Sequence, residues 1–114
     1  MNKIERKLKR QIRTRAKIRG TADRPRLSVY KSNLYMYAQL IDDVARKTLV
    51  GVSEKHLKEA LKGKIVKAKA VGVLLAKKAL EMKIKKVVFD RGSYSYHGRI
   101  SSIAEGAREG GLEF

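Results

Sequence analysis

The alternation of apolar and polar positions starts at Arg26. Leu27 and Val29 alternate with Ser28 and Tyr30, a period of two that reads as a half-buried strand. Lys31-Ser32-Asn33 supplies a turn. Leu34, Met36, Ala38 and Leu40 then share one face of a second strand, with Tyr35, Tyr37 and Gln39 on the other. Asp42-Asp43 marks another turn, and a third strand is predicted from Ala45 to Val52. Three short strands joined by tight turns predict an antiparallel meander.

Helical spacing takes over further along. Ile65, Ala68, Gly72, Leu75, Ala79 and Met82 recur at intervals of three and four, giving one apolar seam on a helix predicted over Lys64 to Lys83. Gly63 and the Lys-rich end suit its boundaries. A short helix from Ser53 to Leu61, with Ser53 as N-cap, is predicted ahead of it. Lys86 to Asp90 reads as a compact buried strand around Val87, Val88 and Phe89. Ile100, Ile103, Ala104 and Ala107 predict a helix that Gly110-Gly111 ends. The order strand, strand, strand, helix, strand, helix predicts a small α/β (α+β) fold. Its mixed sheet has about four strands, the meander plus one more, with helices packed on one face.

Before Arg26 the pattern differs. Ile4, Leu8, Ile12 and Ala16 recur every four residues with no Pro or Gly before Gly20, which permits a helix with a thin apolar stripe and a cationic circumference. So much like charge around so little apolar surface leaves that helix frayed on its own. Gly20 to Pro25 is the expected boundary, dividing a basic N-terminal extension, residues 1–23, from a globular part, residues 24–114.

Charge changes the picture more than composition does. The net charge is +17 across 114 residues, and eleven of the 28 basic residues fall within residues 1–26. Self-repulsion on that scale weakens a compact state unless a polyanion offsets it. Nucleic acid is the first candidate partner and an anionic membrane surface the second. A Lys-rich surface selected for heat resistance is normally balanced by Glu; this one is not. With no Cys, zinc knuckles, thiol nucleophiles and a disulfide scaffold are excluded, and no cofactor or metal is expected. No apolar run reaches the ~18 residues of a membrane span. The N-terminal stripe also lacks the Trp and Phe of surface-seeking helices. The basic N-terminus lacks the apolar stretch of a secretory signal and runs straight into strand-like sequence, so it is read as part of the mature chain.

Two segments carry candidate chemistry. In Arg24-Pro-Arg-Leu-Ser-Val-Tyr-Lys-Ser-Asn33, continuing to Tyr37-Ala38-Gln39, basic residues flank a strand bearing Tyr30, Tyr35 and Tyr37. Arg and Lys neutralise phosphates and tyrosines stack on unpaired bases. Equally, those tyrosines are ordinary strand formers packed on a helix; composition leaves both readings open. The second segment is Phe89-Asp-Arg-Gly-Ser-Tyr-Ser-Tyr-His-Gly-Arg-Ile100, a loop between strand and helix. Gly92 and Gly98 allow close backbone approach, Arg91 and Arg99 can fork onto phosphates, and the helix start favours anionic groups.

The second segment, with Ala-Arg-Glu-x-Gly-Leu-x-Phe at the C-terminus, resembles the family of bacterial ribosomal proteins numbered eighteen in the large-subunit series. So do Arg-Pro-Arg-Leu-x-Val, Lys-Ser-Asn and Tyr-Ala-Gln, together with the basic N-terminal helix. The resemblance spans essentially the whole chain in the same order. It implies a structural constituent of the cytoplasmic ribosome, not an enzyme, that is a monomer when free. Such a protein binds 5S rRNA and attaches it to large-subunit rRNA in the central protuberance, beside neighbouring large-subunit proteins. Matched by position, the implied RNA-facing residues are Arg24, Arg26, Lys31, Ser32 and Asn33 in the first segment. In the second they are Arg91, Gly92, Tyr94, Tyr96, His97 and Arg99. The cationic extension adds Arg6, Lys9, Arg10, Arg13, Arg15, Lys17 and Arg19. At Leu34 and Tyr35 the family usually has Lys and His, so no contact is carried over there. Residues 53–63 are shorter than in many relatives, and that loop is not carried over either.

The remaining polar groups have plainer readings. Asp90 near His97 and Arg99 lacks the second acid or metal cluster of a nuclease. Asp90 instead pairs with a nearby Arg or caps the loop. Asp42-Asp43 is turn chemistry, and His56 is a solvated bystander. Lys67, Lys69, Lys77 and Lys78 are the solvated side of an amphipathic helix. A general DNA binder or a membrane-surface module remains the competing class.

Overall fold

The computed structural model describes residues 2–15, 20–32, 35–57, 63–92, 94, 96 and 98–114. Helix α1 (Lys3–Arg15) comes first, followed by strands β1 (Arg26–Lys31), β2 (Met36–Asp42) and β3 (Lys47–Ser53). A single 3-10 turn (Glu54–His56), α2 (Lys64–Glu81), β4 (Val88–Asp90) and α3 (Arg99–Glu109) complete the chain. The sheet order is β3-β2-β1-β4. The meander is antiparallel, with Arg26 opposite Ile41 and Tyr37 opposite Ser53, and β4 lies parallel to β1, with Leu27 opposite Phe89. The mixed sheet predicted from the pattern is the one observed.

One face of the sheet supplies Leu27, Val29, Met36, Ala38, Leu40, Val50 and Val52 to the core, and α2 and α3 cover them with Val71, Leu75, Ile103 and Ala107. The seam of α2 differs from expectation at both ends. Ile65 and Met82 are half exposed, while Val71 and Ala76 are buried. α2 has 18 residues and α3 only 11, so the ends of α2 overrun the helix they cross. That crossing is backbone-close. A Cβ on Gly72 would collide with Ile103 O and lie 2.8 Å from Ala107 N, and one on Gly106 would collide with Lys69 O.

Boundaries moved in three places. β3 begins at Lys47 rather than Ala45, because the Asp42 side chain accepts the N–H groups of Val44 and Ala45 and holds them in the turn. β4 covers only Val88–Asp90. Val87 and Lys85 bond instead to Glu113 of the C-terminal segment. Ser53 does cap, but the element it opens is the 3-10 turn; the rest of the predicted Ser53–Leu61 helix lies outside the described residues beyond Leu57. α1 is helical over Lys3–Arg15, with its stripe bare: Ile4, Leu8 and Ile12 are all more than half exposed.

Candidate nucleic-acid interface

The chain leaving α1 is gripped at Gly20. Its N–H donates to Asp43 Oδ2 at 2.6 Å and its carbonyl accepts Asp43 N–H at 3.0 Å. A side chain there would strike Ile41 O and the backbone of Arg26, so only glycine passes. Arg26, on β1 beside it, forks one guanidinium edge onto Asp43: Nε to Oδ2 at 3.0 Å and Nη2 to Oδ1 at 3.0 Å. Its Nη1 reaches Asp90 Oδ2 at 2.6 Å. The hydrogen bond to Asp43 raises the Arg26 pKa, burial works against it, and the bond to Asp90 raises it further. Asp90 is fully buried at the end of β4, and its other oxygen accepts Gly92 N–H at 2.7 Å. Asp90 thus both pairs with an Arg and caps the loop, as the sequence implied. Arg26, an RNA-facing candidate by resemblance, has its guanidinium engaged by two carboxylates.

The hairpin tip and the second segment, far apart in sequence, meet in space. Lys31 N–H donates to Tyr94 Oη at 3.3 Å, and Lys31 Nζ sits 5.7 Å from the centre of that ring. Ser32 closes the turn with its hydroxyl, which accepts from Tyr35 N–H at 3.2 Å. Arg91 Nη1 donates to Tyr94 O at 2.7 Å, and Gly92 takes φ +62°, a conformation that favours glycine. Tyr96 is exposed, packs edge-on to Phe89, and its hydroxyl accepts from Arg108 Nη1 at 3.4 Å. Arg99, at the first turn of α3, faces Glu54 at 3.5 Å. Arg24 is exposed and its backbone N–H is held by Thr21 Oγ1, which leaves the side chain projecting from the turn.

On the sheet face away from the helices, Tyr30 and Tyr37 stack at 4.6 Å with planes 5° apart. The hairpin register puts them directly opposite one another. They border an open depression of about 150 Å³ with Gln39, Gly51, Ser53 and His56. Of the two readings of the tyrosines, packing against a helix does not describe this pair. Tyr35 is partly covered by the Lys55 ammonium, 5.0 Å from its ring centre. His56 is more than a bystander: its Nδ1 accepts Ser53 N–H at 3.0 Å and closes a capping box.

Along α1, Arg6, Lys9, Arg10 and Arg13 are exposed, with Lys3 and Lys7 beside them. Arg15 belongs to the same helix. Lys17, Arg19, Asn33 and His97 lie outside the described residues. Lys69 is bonded to Glu109 at 3.0 Å, and that bond raises its pKa. Among the described residues no cluster of His, Asp and Glu is placed to hold a metal ion. Sequence reasoning overlooked Asp43 and Glu54 as partners of the candidate arginines. Asp43 carried a faint signal, since one of two adjacent turn aspartates suffices for the turn. Glu54 carried none.

A family model described as ribosomal L18 of archaea, bacteria, mitochondria and chloroplasts matches residues 1–114. The large ribosomal subunit protein uL18 of Clostridium novyi is 53% identical over 115 residues, covering 99% of this chain and 96% of that protein. The protein of the same name from Thermotoga petrophila is 52% identical over 117 residues, with the same coverages. That of Clostridium botulinum is 58% identical over 108 residues, covering 93% of this chain and 90% of the relative.

Proposed function

The chain belongs to the ribosomal L18 family, structural and non-enzymatic constituents of the large ribosomal subunit, and from that premise we propose that it binds 5S rRNA in the cytoplasmic ribosome. In this reading it attaches the 5S rRNA to large-subunit rRNA in the central protuberance, beside neighbouring ribosomal proteins, and is a monomer when free.

The observation that carries the reading is the meeting of the hairpin tip with the tyrosine-rich loop through Lys31 and Tyr94. Lys31, Ser32 and Arg91 gather around Tyr94 there, the stacked Tyr30–Tyr37 pair offers aromatic surface on the neighbouring strands, and Arg24 and Tyr96 are further candidates. Cations at these points fix register on the phosphate backbone, and exposed aromatic faces accept unstacked bases of a folded RNA. Asn33, Gly92, Tyr94, His97 and Arg99 complete the candidate set. Residues 1–23 act as a cationic extension, with Arg6, Lys9, Arg10, Arg13, Arg15, Lys17 and Arg19 distributing charge along the RNA. Residues 24–114 form the globular part. The Gly20–Asp43 bonds hold the last residues of that extension against the globular part, which supports a joint inside it, just ahead of Gly20.

A filter-binding competition among 5S rRNA, transfer RNA and duplex DNA, repeated over a salt series, tests the proposal. The expected result is preference for 5S rRNA, with affinity falling by a log–log slope of about 0.7–0.9 per phosphate contact. Equal competition by duplex DNA would return the protein to the class of general polyanion binders.

A further inference from the structure

Side-chain hydrogen bonds of Asp43, Arg26 and Asp90 form a continuous bridge between two distant segments. One end is Gly20, where the basic extension leaves the body. The other is Gly92, where the tyrosine-rich loop leaves β4. Between them run Asp43, Arg26 and Asp90, joined by contacts of 2.6–3.0 Å. The Arg26 side chain is only 12% exposed and Asp90 is fully enclosed. A guanidinium is suited to this post, since its rigid planar fork can serve two carboxylates in fixed directions and an ammonium cannot.

We propose that Arg26 is a positioning residue that fixes the root of the N-terminal extension relative to the 91–99 loop, so that both meet one RNA in register. The inference rests on the RNA-binding reading above and deepens it, because it assigns Arg26 a part in recognition without contact to RNA. Each segment carries its cations on chain that extends away from its root at Gly20 or Gly92. Left independent, each would lose conformational freedom separately on binding, and that loss subtracts from affinity. Tied to a common buried node, the two roots are placed before the RNA arrives.

The test uses the full chain with Arg26→Lys and Asp43→Asn, each assayed on 5S rRNA well below its melting temperature. Arg26→Lys keeps the charge and loses the fork. Its affinity is expected to fall about tenfold, the scale of ordering one or two loose anchors. The log–log salt slope is expected to stay constant, because no phosphate contact is removed. A slope lower by about 0.7–0.9 would mean that Arg26 itself touches phosphate, and would overturn the proposal. So would unchanged affinity.

Asp43→Asn cuts mainly the Gly20 arm and serves if Arg26→Lys does not fold. Combined with removal of residues 1–19, it is expected to be non-additive: once the arm is loose, deleting the extension costs less than in the native chain. Additive losses would show a merely structural role. Failure of the native chain to bind 5S rRNA at low salt would count against the functional reading itself, a different result from additivity.

Discussion

Replacing Gly72 by Ala sets two effects of opposite sign against each other, and the geometry decides between them. On propensity alone, Ala in the middle of α2 should stabilise the helix by about 1 kcal/mol. Against that, the new Cβ would overlap Ile103 O, sit 2.8 Å from Ala107 N and 3.0 Å from Ile103 C, all backbone atoms of α3. Backbone in a helix cannot rotate aside as a flexible side chain can. Restoring ordinary contact spacing therefore requires α2 and α3 to separate by about 1 Å. Val71, Leu75, Ile103 and Ala107 lie at this layer of the core, and separation loosens their packing. Overpacking of this kind costs about 1–3 kcal/mol, and with rigid atoms on both sides the upper end applies. The net expectation is destabilisation by about 2 kcal/mol. For a chain this size that lowers the melting temperature by about 8 °C. Urea unfolding followed by circular dichroism should show a lower midpoint at unchanged slope. Gly106→Ala should behave alike, since its Cβ would meet Lys69 O. The double substitution should cost less than the sum, because helices already parted accommodate the second methyl. Gly51→Ala, with nothing within 4 Å of the added carbon, is the control and should be neutral or stabilising. A Gly72→Ala protein as stable as the native one would refute the close crossing.

Three further outcomes are expected. Arg24→Gln should leave the melting temperature unchanged, weaken 5S rRNA binding, and reduce the salt slope by about 0.7–0.9; an unaltered slope would remove Arg24 from the contact surface. Gly92→Ala places a side chain at φ +62° and should destabilise by about 1–2 kcal/mol, visible in thermal melting, whereas an unchanged melt would contradict the left-handed geometry. Removing residues 1–19 should preserve the melting transition and weaken RNA binding, while removing Gly20 as well should also lower the melt, because Asp43 then loses two hydrogen bonds. Identical melts for the two truncations would place the joint elsewhere.

Much of this protein was fixed by local pattern. Alternation within each of the runs 27–30 and 34–40 sets which face of β1 and β2 turns to the core, because successive side chains in a strand must point to opposite sides. The three-and-four spacing of Ala68, Gly72, Leu75 and Ala79 likewise commits one side of α2 to the core. Charge density and the two motif segments directed attention to RNA before any contact could be seen. Those properties depend on neighbours along the chain, and so they are legible in one dimension. What the residues bordering the candidate interface do was decided elsewhere. Arg24 and Arg26 look equivalent in sequence, two residues apart in one basic motif. One projects from a turn, and the other is enclosed between Asp43 and Asp90, which lie 17 and 64 positions away. The contact of Lys31 with Tyr94, the Glu54–Arg99 pair and the glycine-mediated crossing of α2 and α3 likewise join segments remote in the chain. Burial and ion pairing arise from which surfaces pack together, and a pattern of neighbours carries no record of that.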